Sequence, residues 1–205
     1  MAFQGILIAN RGEIAIRIAR AAAELGIKSV AIYSEDDASS LHTKIADESF
    51  LLPGLGAAAY LNMEEVINAA KKSGCDAIHP GYGFLSEQAS FAEKCAEAGL
   101  TFVGPKVEHL KLFGDKGVAR AAAISAGVPV LRGIDKAVTL EEASAFFDEV
   151  EGGIIIKAVA GGGGRGTRSV TDKVDLEDAF SRCESEAKAS FGIGCLLYTS
   201  DAADE

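Results

Sequence analysis

The 205-residue sequence predicts an α/β fold built on a doubly wound parallel sheet, and three observations predict it. Short apolar runs recur at Ile6–Ala9, Val30–Tyr33, Phe50–Leu52, Ala77–Ile78 and Thr101–Val103, the pattern of parallel strands buried on both faces. Helix-length segments lie between several of them. Gly26, Gly74 and Gly99 then stand where a left-handed C-terminal cap is wanted, shortly before the next strand.

The first helix, Glu13–Leu25, places Ile14, Ile18, Ala22 and Leu25 on one face, and Met63–Lys72 and Ser90–Ala98 show the same periodicity. Near Gly114–Asp115 the rhythm changes. A helix is expected from Lys116 to Ala126, a short strand over Val128–Leu131, and a helix over Leu140–Glu151 opened by Thr139, whose spacing to Glu142 fits a capping box. Ile154–Val159 reads as a strand that runs into Gly161–Gly166, followed by a second strand through Val170, a hairpin with a glycine tip. A last amphipathic helix covers Leu176–Ser190, acidic at its start as the helix dipole favours. After Gly194 the periodicity stops.

Composition bounds the function. The net charge of −10, three units of it from Asp201, Asp204 and Glu205, opposes nucleic-acid binding. An anionic ligand in so acidic a chain needs a local pocket of cations and backbone amides. Cys75, Cys95, Cys183 and Cys195 form no Cys-x-x-Cys pair and have no histidine at metal-ligand spacing, so neither a zinc site nor a disulfide framework is expected. No basic leader or long apolar segment occupies the first nine residues; membrane insertion is not expected and the cytoplasm is the expected compartment.

Four segments could carry chemistry. Asn10-Arg11-Gly12-Glu13 sits where a Rossmann protein carries a three-glycine fingerprint, but only one glycine is present, so a tight turn explains it as well as dinucleotide binding, despite Glu35, Asp36 and Asp37 after strand two. The block His79-Pro80-Gly81-Tyr82-Gly83-Phe84-Leu85-Ser86-Glu87 follows a strand, at the end where open α/β sheets place ligands; His79 is equally readable as a hydrogen-bonded strand-end residue. Lys157 lies inside an apolar strand before Gly161, Gly162, Gly163, Gly164, Arg165 and Gly166, with Arg168 beyond. A buried ammonium needs an anion, and a glycine tip leaves N–H groups free to wrap phosphate oxygens; no Gly-Lys-Ser/Thr opens a helix, so this is no Walker loop. Lys116 opens a helix where the dipole disfavours it, and draws its weight from pairing with Lys157.

Ile8 to Ala15, the His79–Glu87 block, Phe102-Val103-Gly104-Pro105, Gly114-Asp115-Lys116 and Lys157 through Gly166 resemble, in order and spacing, the biotin carboxylases. The resemblance implies a Rossmann-like domain over 1–114 that precedes an ATP-grasp domain starting at 115–194, with 195–205 as a non-native tail. It also implies an ATP-dependent ligase that phosphorylates bicarbonate to carboxyphosphate and carboxylates biotin on a carrier domain, with magnesium or manganese bridging the phosphates. By position, Lys116 and Lys157 look like the phosphate lysines and Gly161 to Gly166 like the mobile flap; Tyr82 and Glu87 are placed near the active site. Gln88 and Thr167 depart from the family pattern without removing a charge. Metal ligands, catalytic base and carboxyphosphate-stabilising arginine are expected beyond this chain, which should not turn over alone. Implied partners are the carrier, a carboxyltransferase and a second copy. The final acceptor, whether acyl-CoA, pyruvate or urea, lies outside the sequence. The rivals are a carbamoyl-phosphate-synthase-like ligase, a non-catalytic nucleotide-binding or dimerisation module, and an NAD-dependent oxidoreductase disfavoured by the single-glycine turn.

Overall fold

The computed structural model describes residues 3–134, 137–158, 167–191, 194 and 196–200. The chain divides into two compact units, Met1–Lys111 and Leu112–Glu205, so the division falls three residues before the boundary read from the sequence.

In the first unit the chain runs through β1 (Gly5–Ile8), α1 (Gly12–Glu24), β2 (Lys28–Tyr33), α2 (His42–Ile45), β3 (Glu48–Leu51), α3 (Gly56–Tyr60), α4 (Met63–Lys72), β4 (Ala77–His79), α5 (Ala89–Glu97), β5 (Thr101–Phe102) and α6 (Val107–Gly114), which crosses the division. The five strands are parallel in the order β3-β2-β1-β4-β5. All four residues of β1 are buried, because both its edges are paired and both its faces are covered. Leu7, Val30, Ile32, Ile78, Tyr60 and Phe91 share one core with the buried face of α4. The helix-glycine-strand punctuation has its expected geometry: Gly26, Gly74 and Gly99 have positive φ, and the next residue's N–H returns to the helix, as from Ile27 to Ala22 and from Cys75 to Ala70.

The second unit holds α7 (Lys116–Ser125), α8 (Leu140–Phe147), β6 (Ile154–Ala158), β7 (Thr167–Val170), α9 (Leu176–Phe191) and β8 (Leu196–Ser200). Its sheet is antiparallel, in the order β7-β6-β8. Ile154, Ile156 and Ala158 are buried on one face against Val170, Leu176, Cys183 and Ala187, while Ile155 and Lys157 are half-buried on the other, the period of two that a strand imposes.

Three expectations are corrected. Val128–Leu131 is an exposed, irregular segment and no strand, because Pro129 removes a ladder donor; the Val128 N–H closes back on the Ala123 carbonyl instead. The helix from Leu140 stops at Phe147, although its capping box forms as read, with Thr139 and Glu142 exchanging both hydrogen bonds. Leu196–Ser200, read as aperiodic, is a strand whose Leu196 and Leu197 are buried beside β6. Val159 and the glycine run 161–166 lie outside the described residues.

Candidate functional site

The strand order of the first unit reverses at β1, and the loops after β1 and β4 meet at that point, the place where open α/β sheets gather ligands. Asn10, fully buried, joins them. Its Nδ2 donates to the Pro80 carbonyl at 2.7 Å and to the Tyr82 carbonyl at 2.9 Å, while its Oδ1 accepts from the Arg11 N–H at 2.9 Å. Arg11 turns the other way and grips Asp37 through both Nε and Nη2, at 2.9 and 3.0 Å. Asp37, 6% exposed, also accepts from the Tyr60 hydroxyl at 2.7 Å and from Ser40 Oγ at 3.0 Å. Burial alone would raise the Asp37 carboxyl, but these hydrogen bonds and the Arg11 charge together hold it below the ordinary range. Burial and Asp37 push the Tyr60 phenol up to about 12.

The acidic run after β2 is therefore engaged in the fold. Asp37 is committed as described, Asp36 accepts from Ser34 Oγ and the Gly56 N–H, and Glu35 accepts from the Gly54 N–H. His79 is half-buried, and its Nδ1 accepts the Gly81 N–H at 3.0 Å, so it shapes the turn. Tyr82 is 66% exposed on a cavity of about 380 Å³ shared with Glu13, Arg17 and His79; Glu87 is exposed in the same loop.

Titration behaviour follows from this burial. Desolvation first, for both residues, lowers the His42 and His79 imidazoles below their ordinary 6.5. The unfolded chain then binds protons that the native chain refuses, so this stabilisation is complete above pH 6.5 and is lost as the pH falls. Asp37, Asp47 and Asp76 are lowered from 3.8, and their contribution disappears only as the pH drops through their folded values. The urea midpoint is expected to decline between pH 7 and 5 and again below pH 4; a flat midpoint from pH 7 to 5 would refute the histidine contribution.

In the second unit the structure brings Lys116 and Lys157 to one cavity of about 370 Å³, with an apolar wall that includes Val130, Leu131 and Leu197. Lys116 is the first residue of α7, behind the N-cap Asp115, whose side chain accepts from the Val118 N–H at 3.0 Å. Lys157 is held in the centre strand, its backbone paired with Thr167 on one side and Leu197 on the other. It is half-buried and opens on the cavity, not enclosed in the sheet as its apolar neighbours suggest. Arg168 is no cavity cation: its guanidinium pairs with Glu186 of α9. Gly161, Gly162, Gly163, Gly164, Arg165 and Gly166 lie outside the described residues. Two ammonium groups on a largely apolar cavity suit a ligand with a flat apolar end and a polyanionic end. Among the described residues no cluster of three His, Cys, Asp or Glu side chains could hold a metal. The described cysteines, Cys75, Cys95 and Cys183, are free and buried, and burial raises their thiols, Cys75 and Cys95 to about 11, so they are poor nucleophiles.

Fold and cavities define a two-unit α/β protein, a parallel doubly wound unit followed by an antiparallel unit with a cationic pocket. The chain belongs to the biotin carboxylase family: residues 2–110 match the family model of the biotin carboxylase N-terminal domain. Residues 115–200 match the carbamoyl-phosphate synthase L chain ATP binding domain, a match that runs past Gly194. The chain is 56% identical over 190 residues to pyruvate carboxylase of Staphylococcus aureus and 51% identical over 196 residues to mitochondrial pyruvate carboxylase of Homo sapiens, covering 91% and 94% of itself. It spans only 16% and 17% of those relatives. A biotin carboxylase–βγ-ATP complex from Campylobacter jejuni superimposes with a TM-score of 0.93 at 43% identity, over 98% of this chain and 45% of that one. A biotin carboxylase domain dimer of Hydrogenobacter thermophilus 2-oxoglutarate carboxylase, in complex with MgADP, ADP and bicarbonate, gives 0.93 at 41% identity over the same shares.

Proposed function

We propose that the protein supplies part of the nucleotide site of a biotin carboxylase, an ATP-dependent ligase that activates bicarbonate as carboxyphosphate and transfers the carboxyl group to biotin on a carrier. The meeting of Lys116 and Lys157 on one cavity carries this reading. ATP supplies the phosphoryl group that activates bicarbonate. The two ammonium groups neutralise phosphate oxygens, and the dipole of α7, whose first residue is Lys116, adds positive potential at that end. The apolar wall takes the base and excludes water, which strengthens both charge contacts. Gly161 to Gly166 are proposed as the flap over the nucleotide, and Tyr82 and Glu87 as residues near the reacting groups. Catalytic groups and metal ligands are proposed to come from the portions of the relatives beyond the matched span. The carrier, a carboxyltransferase and a second copy are the proposed partners and the cytoplasm the compartment; no described helix is long and apolar enough to cross a membrane. The pyruvate carboxylases among the relatives favour pyruvate as final acceptor.

A carbamoyl-phosphate-synthase-like ligase is the second reading, favoured by the match over 115–200. The match over 2–110 weighs against it. Calorimetric titration with MgATP tests the common core of both: Lys116→Gln and Lys157→Gln are each expected to weaken binding about tenfold, ~1.4 kcal/mol. Unaltered affinity in both variants would overturn the cavity assignment. Bicarbonate-dependent ATP cleavage that rises with free biotin would favour the carboxylase, and dependence on ammonia or glutamine the rival.

A further inference from the structure

The cavity of the second unit has a third cation on its wall. Arg120 lines it together with Lys116 and Lys157. It follows Lys116 by four residues on α7, so both side chains leave the same face of that helix, about 6 Å apart along its axis. Arg120 is half-buried, and among the described residues no carboxylate or carbonyl pairs with it. Four other arginines have carboxylate partners: Arg11 with Asp37, Arg132 with Glu149, Arg168 with Glu186 and Arg182 with Asp178. In a chain of net charge −10, with acceptors in excess, a half-buried guanidinium with no partner among the described residues is unfavourable by itself. An anion with several charged oxygens reverses that balance. Lysines act on it as point charges, whereas a guanidinium presents a planar fork that fits two oxygens of one phosphate and fixes their orientation. Among the described residues the remaining wall, with Val130, Leu131 and Leu197, offers no such anion.

We propose that Arg120 is a phosphate-positioning residue, holding the nucleotide's polyphosphate chain at a point one helical turn from Lys116. The inference rests on the nucleotide reading above and extends it to a residue that carries no motif. The fork orients the chain, and the two lysines neutralise it.

The test is calorimetric titration of the chain with MgATP, MgADP and adenosine, comparing wild type with Arg120→Met, Arg120→Lys and Lys157→Met. Circular dichroism melts verify that each variant is folded. Arg120→Met is expected to weaken MgATP and MgADP binding tenfold to about a hundredfold, the range for a hydrogen bond to a charged group. Adenosine affinity should stay unchanged, and Arg120→Lys should recover part of the loss. An equal loss for adenosine would mark Arg120 as a packing residue and overturn the proposal. Undiminished MgATP affinity in Arg120→Met, with Lys157→Met weakened, would overturn it while leaving the cavity reading intact. No effect of either variant, or no MgATP binding by the wild type, would overturn both.

Discussion

Gly153→Ala is expected to destabilise the second unit by ~2–4 kcal/mol, with circular dichroism in a urea series as the measurement. Gly153 enters β6 with φ at +98°, a conformation open to glycine, and a Cβ there would sit 2.3 Å from the Val170 carbonyl oxygen and 3.0 Å from the Thr171 Cα. Both obstacles are backbone. They belong to the β7 end that pairs with Ile154, so relief requires the hairpin itself to open. Gly152 separates the two causes: it has φ at +91° but nothing within 4 Å of where a methyl would stand, and Gly152→Ala should cost only about 1 kcal/mol of backbone strain. Equal losses at the two positions would show that the close approach to β7 contributes nothing.

Asn10→Ala is expected to cost the first unit ~2–4 kcal/mol. The substitution leaves the carbonyls of Pro80 and Tyr82 and the Arg11 N–H without the partner that now serves all three, and the Pro80 contact is buried. Replacing both sides of such a contact could be neutral; removing one side leaves the desolvation penalty of the other. Asn10→Asp is the sharper probe. It keeps the shape but turns an oxygen toward two carbonyl oxygens and buries a charge, so it should be at least as damaging at pH 7. If Asp is tolerated and Ala is not, side-chain volume rather than the amide's donor capacity explains the site.

The parallel unit was readable because β1 and most of β2 and β4 are apolar runs and because α1, α4 and α5 end just before glycines, both local signals. Lys116 and Lys157 stood out for the same reason, each at odds with its immediate surroundings. What escaped the sequence is what distance in the chain conceals. Across the chain Asn10 and Asp37 reach partners 23 to 72 residues away, and neither belongs to a pattern that marks it as buried. Arg120 lies in an alanine-rich helix like any solvated arginine, and only the cavity distinguishes it. Arg168 beside the glycine run read as a ligand cation because Glu186, its partner, lies 18 residues downstream in α9. Val128–Leu131 had β-prone residues on both sides of Pro129, and propensity lost to the missing donor.

Because Asn10 addresses the main chain of residues 80 and 82 and touches none of their side chains through hydrogen bonds, the course of the loop after β4 is written at a position 70 residues upstream. Shape and chemistry are thereby inherited separately. The exposed Tyr82 side chain can change while the peptide that carries it keeps its path, so the surface of this loop can vary without renegotiating its scaffold.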